Sequence, residues 1–506
     1  MATINTNDAR TRNASNFLDS LNDSEGNARA YFFVGKPTPW RIDADPPAPT
    51  NNFDEVNQVH DEMLSLKRIQ NIDAHYMIPR VKWTSGVVYD MYRHDYSMVN
   101  RSHSGANNLF DSIYYVLAEN NYVYVCLDNN DNRPSTVEPQ NMSDAPFKTS
   151  DDYQWLRLYK VNVNRRNNYS TNNYIPIDNH DVHHGVPGAI HTVVVNESGS
   201  RYTANPDGPI AKVADYFCDI TGDGEGAVAK VRVRSGKITE VKVVRPGRGY
   251  THAKVDFNKN RVFKGLKQLD DKRNPLDPEG DGRFSSTVII GPPGGWGYIP
   301  NERISEGDNE RLTVDQLARQ LSSRTVGIFT TIKYDLNDFF PDATFRQVGI
   351  LSDPDVYDEY LNNETLSAVH ALKVTTVSGP DDFIIGEQIR QIVRNPDDIY
   401  RRRALGTVVG WDPTEGIVRY IQTRDNTSVD GNVYELEVGK NVTGMLSRKV
   451  VDIEDFDGEL TGLTFLRGMS EPEFRKHSGY ITYLANVPPI ERNPTQSERI
   501  SLTISF

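Results

Sequence analysis

Residues 500–506 alternate strictly, with Ile500, Leu502, Ile504 and Phe506 on one face and Ser501, Thr503 and Ser505 on the other. A period of two predicts a half-buried strand with its apolar side inward. A strand over residues 480–484 precedes it, across a stiff loop carrying Pro488, Pro489 and Pro494. Free termini fray, so an end in a large aromatic predicts a strand pinned into a core begun much earlier in the chain. Taken from the start, the pattern predicts a short helix over 10–21 and a strand over 30–34. A bridge follows that prolines from Pro37 to Pro49 keep extended. Val56, Val59, Met63, Leu66 and Ile69 then fall at steps of three and four, an amphipathic helix whose Asn52 and Glu55 are spaced as a capping box. The region up to about residue 164 reads as several strands. Its Tyr89, Tyr92, Tyr96, Tyr114, Tyr115, Tyr122 and Tyr124 offer amphipathic rings for core edges or for a contact surface.

Near Gly185 the composition shifts to Gly, Val and charge, almost without helix signals, until about Gly297. A weak repeat sets Val193-Val194-Val195-Asn196 with Gly199 and Arg201-Tyr202-Thr203 against Val241-Lys242-Val243-Val244 with Gly247 and Gly249-Tyr250-Thr251. Strands over 228–234 and 237–244 flank Ser235-Gly236, a two-residue hairpin signal. A capped helix is predicted over 313–322, with Gln316 completing the box and Leu317 and Leu321 inward. Strands over 326–334 and 345–351 rejoin the core. Short strands over 371–377, 405–410, 416–423 and 432–436, parted by Gly, Asp and Pro turns, suit a small barrel or sandwich. The predicted fold is mainly β: a β-sandwich core built from both chain ends with a few short helices, plus two inserted small all-β domains. The core takes 1–185, 299–354 and 471–506; the inserted domains take 186–298 and 355–470.

Hydrophobic residues make up 37% of the 506, below the usual ~45–50% on a count that includes Gly. The 25 tyrosines nevertheless supply a core, so long disorder is not expected. A net charge of −13 leaves no basic face for phosphate, and nucleic acid is not expected as a partner. No apolar run approaches the ~18 residues of a membrane span, so membrane insertion is not expected either. The opening residues lack the apolar region of a signal peptide. Cys126 and Cys218, alone and far apart, make no disulfide framework and suit a reducing compartment.

Candidate chemistry is thin. His180, Asp181, His183 and His184, with His191 nearby, are the best candidates for zinc or iron, but they lie in a polar loop without the spacing that aligns ligands. They read as a solvated linker. Asp128, Asn130 and Asn132 begin like a calcium loop that Arg133 and Pro139 then spoil, since Gly and a bidentate Glu are needed there. Asp219, Asp223 and Glu225 surround a tight turn and read as a plain hairpin before calcium. Gly222, Gly224 and Ala227 match a dinucleotide fingerprint formally, yet a valine-rich strand follows where a helix is required. The 291–297 stretch has no Gly-Lys-Ser/Thr and reads as a rigid loop. The acid pairs Asp381-Asp382 and Asp397-Asp398 could imitate a glycosidase couple only if placed across a sugar. No catalytic residue, metal ligand or cofactor site is assigned.

Five stretches, in order, carry a family resemblance. They are Val34-Gly35-Lys36-Pro37-Thr38-Pro39-Trp40; Ile78-Pro79-Arg80-Val81-Lys82-Trp83; Tyr122-Val123-Tyr124-Val125-Cys126-Leu127-Asp128 with Asp152-Tyr153-Gln154-Trp155; Phe345-Arg346-Gln347-Val348-Gly349-Ile350-Leu351; and Lys476-His477-Ser478-Gly479 with Tyr483, Asn486 and Pro488-Pro489-Ile490. Together they cover roughly half the chain and resemble the baseplate wedge subunit of T-even-like contractile-tailed phages, the gene-eight product family. The Gly-Tyr-Thr pattern is similar to β modules of phage virion proteins. The resemblance implies a non-enzymatic structural subunit of the virion tail, assembled in the host cytoplasm, a homodimer bound to other baseplate wedge proteins. Arg475 and His477 would then brace a core or an interface. The alternative is a receptor- or glycan-binding tail protein whose Tyr and Trp stack on sugars. An enzyme that degrades surface polysaccharide ranks third.

Overall fold

The computed structural model describes residues 6–21, 29–143, 146–178, 186–202, 213–255, 257, 262–263, 283–292, 314–333, 339–340, 343–379, 382–393, 402–491 and 497–506. It is mainly β, 43% strand against 11% helix, as the prevalence of period-two patterning requires. The chain divides into two units. One holds Met1–Asn16, His75–Gly327 and Ser505–Phe506; the other holds Phe17–Ala74 and Ile328–Ile504. Segments expected to share one core are thereby parted. Residues 122–128 belong to the first unit, whereas the strands Ala30–Gly35 and Phe345–Ser352 pair in the second. The physical reason is that Tyr122–Asp128 has both edges occupied by near neighbours, Tyr115–Leu117 and Gln154–Lys160.

In the first unit these strands and Phe147–Lys148 form a four-stranded sheet. The tyrosines read as a possible contact surface are interior instead: Tyr89, Tyr92, Tyr114, Tyr115, Tyr122 and Tyr124 are all buried. Their rings pack edge to face, as Tyr114 does on Tyr115 with centroids 5.2 Å apart. Some of the hydroxyls find carbonyls without leaving the core; Tyr115 donates to Pro79 O at 2.9 Å and Tyr124 to Asn141 O at 3.2 Å. Further along, Val228–Arg234 and Lys237–Arg245 form the predicted hairpin. Ser235 (φ 49) and Gly236 (φ 74) take the two left-handed positions that this turn demands. Tyr202 and Tyr250, from the two halves of the weak repeat, enter one common core with Tyr216 and Phe257. The Tyr250 hydroxyl donates to Ile220 O at 3.1 Å and accepts from the Ala227 N–H at 3.3 Å, tying a turn to the sheet. A short helix, Val314–Gln320, buries Leu317 and Leu321 as predicted; Thr313 lies outside the described residues.

In the second unit a five-stranded antiparallel sheet runs Thr365–Ser367, Met63–Arg68, Ala30–Gly35, Phe345–Ser352, Tyr480–Ile490. The helix predicted to run through residue 69 stops early. It spans Phe53–Glu62, and Met63 leaves it with ψ 137. Met63, Leu64, Ser65 and Leu66 are all buried, a run compatible with either period, and the edges of Ala30–Gly35 and Thr365–Ser367 draw it into the sheet. The predicted cap holds: the Glu55 N–H donates to Asn52 Oδ1 at 2.7 Å, although the Glu55 carboxylate reaches back to the Thr50 N–H rather than to Asn52. The closing strands differ too. Pro488 and Pro489 lie within Tyr480–Ile490, where a sheet edge tolerates the missing donors, while Pro494 lies outside the described residues. The last strand, Ser497–Ser505, buries Leu502 and lies beside Thr325–Lys333.

Strands drawn from between His370 and Ser470 form the small barrel. Its order is Ile417–Ile421, Arg403–Asp412, Gln388–Ile392, Asn441–Gly444, Val450–Ile453, His370–Ser378, and it closes by pairing His370–Lys373 with Ile417–Tyr420. Leu372, Ile389, Val408, Val418, Val442 and Val451 fill its interior. A buried carboxylate pins one end: Glu387 accepts the N–H groups of Ile384, Leu446 and Ser447 at 2.8, 2.8 and 3.0 Å. The strand predicted over 432–436 is absent from every ladder. Side-chain amides hold that segment instead, Gln422 donating to Tyr434 O at 2.9 Å and Gln391 to Glu437 O at 2.8 Å.

Candidate functional site

A dense ionic cluster in the second unit grows from the last turn of the Phe53–Glu62 helix, where His60, Asp61 and Glu62 are all buried. Two carboxylates suit a helix C-terminus badly, since its partial negative charge repels them and burial adds a desolvation cost. Neighbouring segments supply the compensation. Lys36 places Nζ 2.9 Å from Glu62 Oε2 and 3.1 Å from Oε1, and its backbone N–H donates to Glu62 O at 3.0 Å. The Thr38 hydroxyl donates to the same carboxylate at 2.8 Å, and the Trp40 ring lies 5.1 Å from the Lys36 ammonium. Asp61 is held by His477 Nε2 at 2.8 Å and by Arg424 Nε at 3.4 Å. Lys476 Nζ donates to Asp61 O at 3.0 Å, which satisfies one of the carbonyls a helix end leaves open.

Burial pushes the His60 imidazole down to about 4, with the charges of His477 and Lys476 adding to the effect. Its ring sits 5.4 Å from that of His477, and Nδ1 has no hydrogen-bond partner among the described residues. Burial likewise pushes the Lys476 ammonium down to about 8, against the opposing pull of Asp61, Glu471 and Glu62. A second tie lies on the same sheet. Arg346 grips Asp43 through two bonds of 2.9 Å and donates to Pro37 O at 2.8 Å. That guanidinium holds the Asp43 carboxyl below its ordinary range.

Each carboxylate here is engaged by donors from other segments, so the cluster joins chain elements. No group of three ligating side chains able to hold a metal occurs among the described residues. His180, Asp181, His183 and His184 lie outside those residues. His191 is described: it is partly buried in the first unit, its ring 6.0 Å from that of Tyr92, and desolvation pushes it down to about 4. Asp128 accepts the Asn130 N–H at 2.9 Å and shapes its own turn. Asp223 accepts from the N–H groups of Thr251 and His252 at 2.9 and 3.1 Å, while Glu225 pairs with Arg248 at 2.7 Å. A strand, Val228–Arg234, follows Gly222 and Gly224, as the valines predict. Asp382 pairs with Lys449 at 3.3 Å, whereas Asp381, Asp397 and Asp398 lie outside the described residues. Cys126 and Cys218 are buried and form no disulfide, and burial raises the Cys126 thiol well above its ordinary range.

Sequence reasoning singled out His477 but missed Asp61, Glu62, Lys36 and Arg424. The signal available was the acidic pair in a helix's last turn, which is unfavourable there unless cations come from elsewhere. Acidification tests the cluster. His60 is neutral when folded down to about 4, whereas an unfolded chain protonates it near 6.5, so folding binds fewer protons in that window. Stability is lost as pH falls from 6.5 towards 4, by about 2 kcal/mol at pH 5. Urea titrations of wild type and His60→Leu at pH 7 and 5 should show a smaller acid loss in the variant. Equal losses would mean that His60 is not held neutral.

The fold and this site define a mainly β protein in which buried charges act as ties between segments distant in sequence. No protein-family model matches the chain, and no curated protein matches it.

Proposed function

We propose that this chain is a structural subunit of a baseplate wedge in a contractile phage tail, working by contact rather than catalysis. It holds neighbouring wedge proteins together and moves with them when the tail contracts. The observation that carries the reading is that three of the wedge-like stretches bond to one another. Val34 pairs with Val348, Val348 pairs with Ala485, Gln347 donates its amide to Asn486 at 2.8 Å, and Trp40 Nε1 donates to Val487 O at 3.3 Å. Residues that carry the resemblance are thus also residues that hold one sheet together. Ion pairs spent on bracing suit a part that must stay rigid while its interfaces rearrange.

Quantitative mass spectrometry of tails purified from the phage encoding this chain should find it at a fixed ratio to the other wedge proteins. Intact, contractile tails assembled without the chain would end the reading. Self-association is expected as well, because the resembled subunits pair about a two-fold axis. Sedimentation at micromolar concentration should give twice the 57.2 kDa chain mass. A strict monomer would remove the homodimer from the proposal. The interior tyrosines of the first unit leave that interface to other surfaces.

A further inference from the structure

The segment over 432–438 behaves as a strand that lacks a neighbour. It runs between two left-handed glycines, Gly431 (φ 81) and Gly439 (φ 77), with no left-handed residue between them. Exposure alternates along it: Val433, Glu435 and Glu437 face outward, and Leu436 enters the barrel core with Tyr434 and Val438 packed against it. Yet it belongs to no ladder. Among the described residues, the backbone N–H and C=O groups of Val433 and Glu435 have no hydrogen-bond partner. Beside it runs an open groove of about 710 Å³ whose far wall is the turn carrying Leu466, Arg467 and Met469. Leu466 is 71% exposed and Val433 45%, so both walls of the groove present apolar surface to solvent.

We propose that this segment is an acceptor edge for an extended segment of another protein chain, one that alternates basic and apolar residues. Unpaired main-chain donors and acceptors beside a groove are completed by an added strand, which supplies main-chain bonds in register and sets alternate side chains in pockets. The charges choose the partner. Outward Glu435 and Glu437 would lie opposite or diagonal to each other in an antiparallel pair of two copies, which like charges disfavour. A strand with lysine or arginine at those positions meets the carboxylates instead, while its apolar residues, on the opposite face, meet Tyr434, Val438 and Met469, which line the groove. Lys440 already pairs with Glu437, which leaves Glu435 as the main electrostatic anchor. The inference stands apart from the tail assignment, because its test uses the isolated full chain.

The probe is a fluorescent eight-residue peptide of alternating lysine and valine, followed by anisotropy, with a copy N-methylated at alternate amides as control. We expect saturable binding by the first peptide and at least about tenfold weaker binding by the methylated one, since main-chain bonds are lost at equal charge. Glu435→Lys with Glu437→Lys should weaken the first peptide by a similar factor, and Glu435→Gln by less; both changes fall on exposed side chains. Amide exchange at Val433 and Glu435 should slow on binding. Equal binding of the methylated peptide, indifference to the glutamate changes, or no binding would each overturn the proposal. So would self-association of the chain that protects the same amides.

Discussion

Glu62→Ala should destabilise the second unit by about 3–5 kcal/mol, because it strands the Lys36 ammonium in a buried site. The penalty arises less from the lost attraction than from an uncompensated charge. The double replacement Lys36→Met with Glu62→Leu should therefore recover most of the loss, since apolar residues of similar volume can take the place of a buried ion pair. Urea midpoints of the three proteins decide the matter. A Glu62→Ala loss under about 1 kcal/mol would show that water reaches the pair. A double variant as weak as the single one would show that Thr38 and Trp40, and not charge balance, set the geometry there.

Gly349→Val is the second large effect. Gly349 is in the strand between Ala30–Gly35 and Tyr480–Ile490, and a Cβ added there would lie 2.5 Å from the Phe33 ring and 2.5 Å from Tyr483 O. Neither neighbour can retreat, because Phe33 is fully buried and the Tyr483 carbonyl belongs to the sheet. Overpacking of this kind costs about 1–3 kcal/mol even for small additions, and valine adds two methyls beyond the first carbon. A loss of about 3 kcal/mol or more is expected, with Gly349→Ala falling short of it. Thermal melts of the valine and alanine variants against the wild type give the scale. Full tolerance of valine would require the sheet to bow at its centre.

What could be read from the sequence was whatever local spacing decides. The hairpin at Ser235-Gly236, the cap at Asn52 and the small barrel beyond residue 370 each follow from turn chemistry or period. What could not be read depended on which edge a segment meets. Met63-Leu64-Ser65-Leu66 fits a helix or a strand, and only the waiting neighbours settle it. Asn432–Leu436 has strand alternation and no ladder, because Gln391 and Gln422 satisfy part of its backbone through side chains. Tyrosine is ambiguous by chemistry, and the rings between Tyr89 and Tyr124 went inward because carbonyls were at hand for several of their hydroxyls. The ionic cluster was hardest, since Lys36, Asp61, Arg424 and His477 come together only after the sheet has formed.

The sheet that joins Ala30–Gly35 to Tyr480–Ile490 through Phe345–Ser352 sets a timetable for the chain's synthesis. Trp40 waits for Val487, 447 residues later, before its indole finds an acceptor. At about 5–20 residues per second a ribosome takes roughly 20–90 s to cover that distance. For the last part of that interval, from the completion of Phe345–Ser352 until Tyr480–Ile490 has been made, that strand lacks its outer neighbour, and a bare strand edge invites pairing with any other nascent chain. Crowded polysomes are thus the setting in which this protein is most exposed to misassembly, and slow elongation between those two strands would lengthen the hazard rather than relieve it.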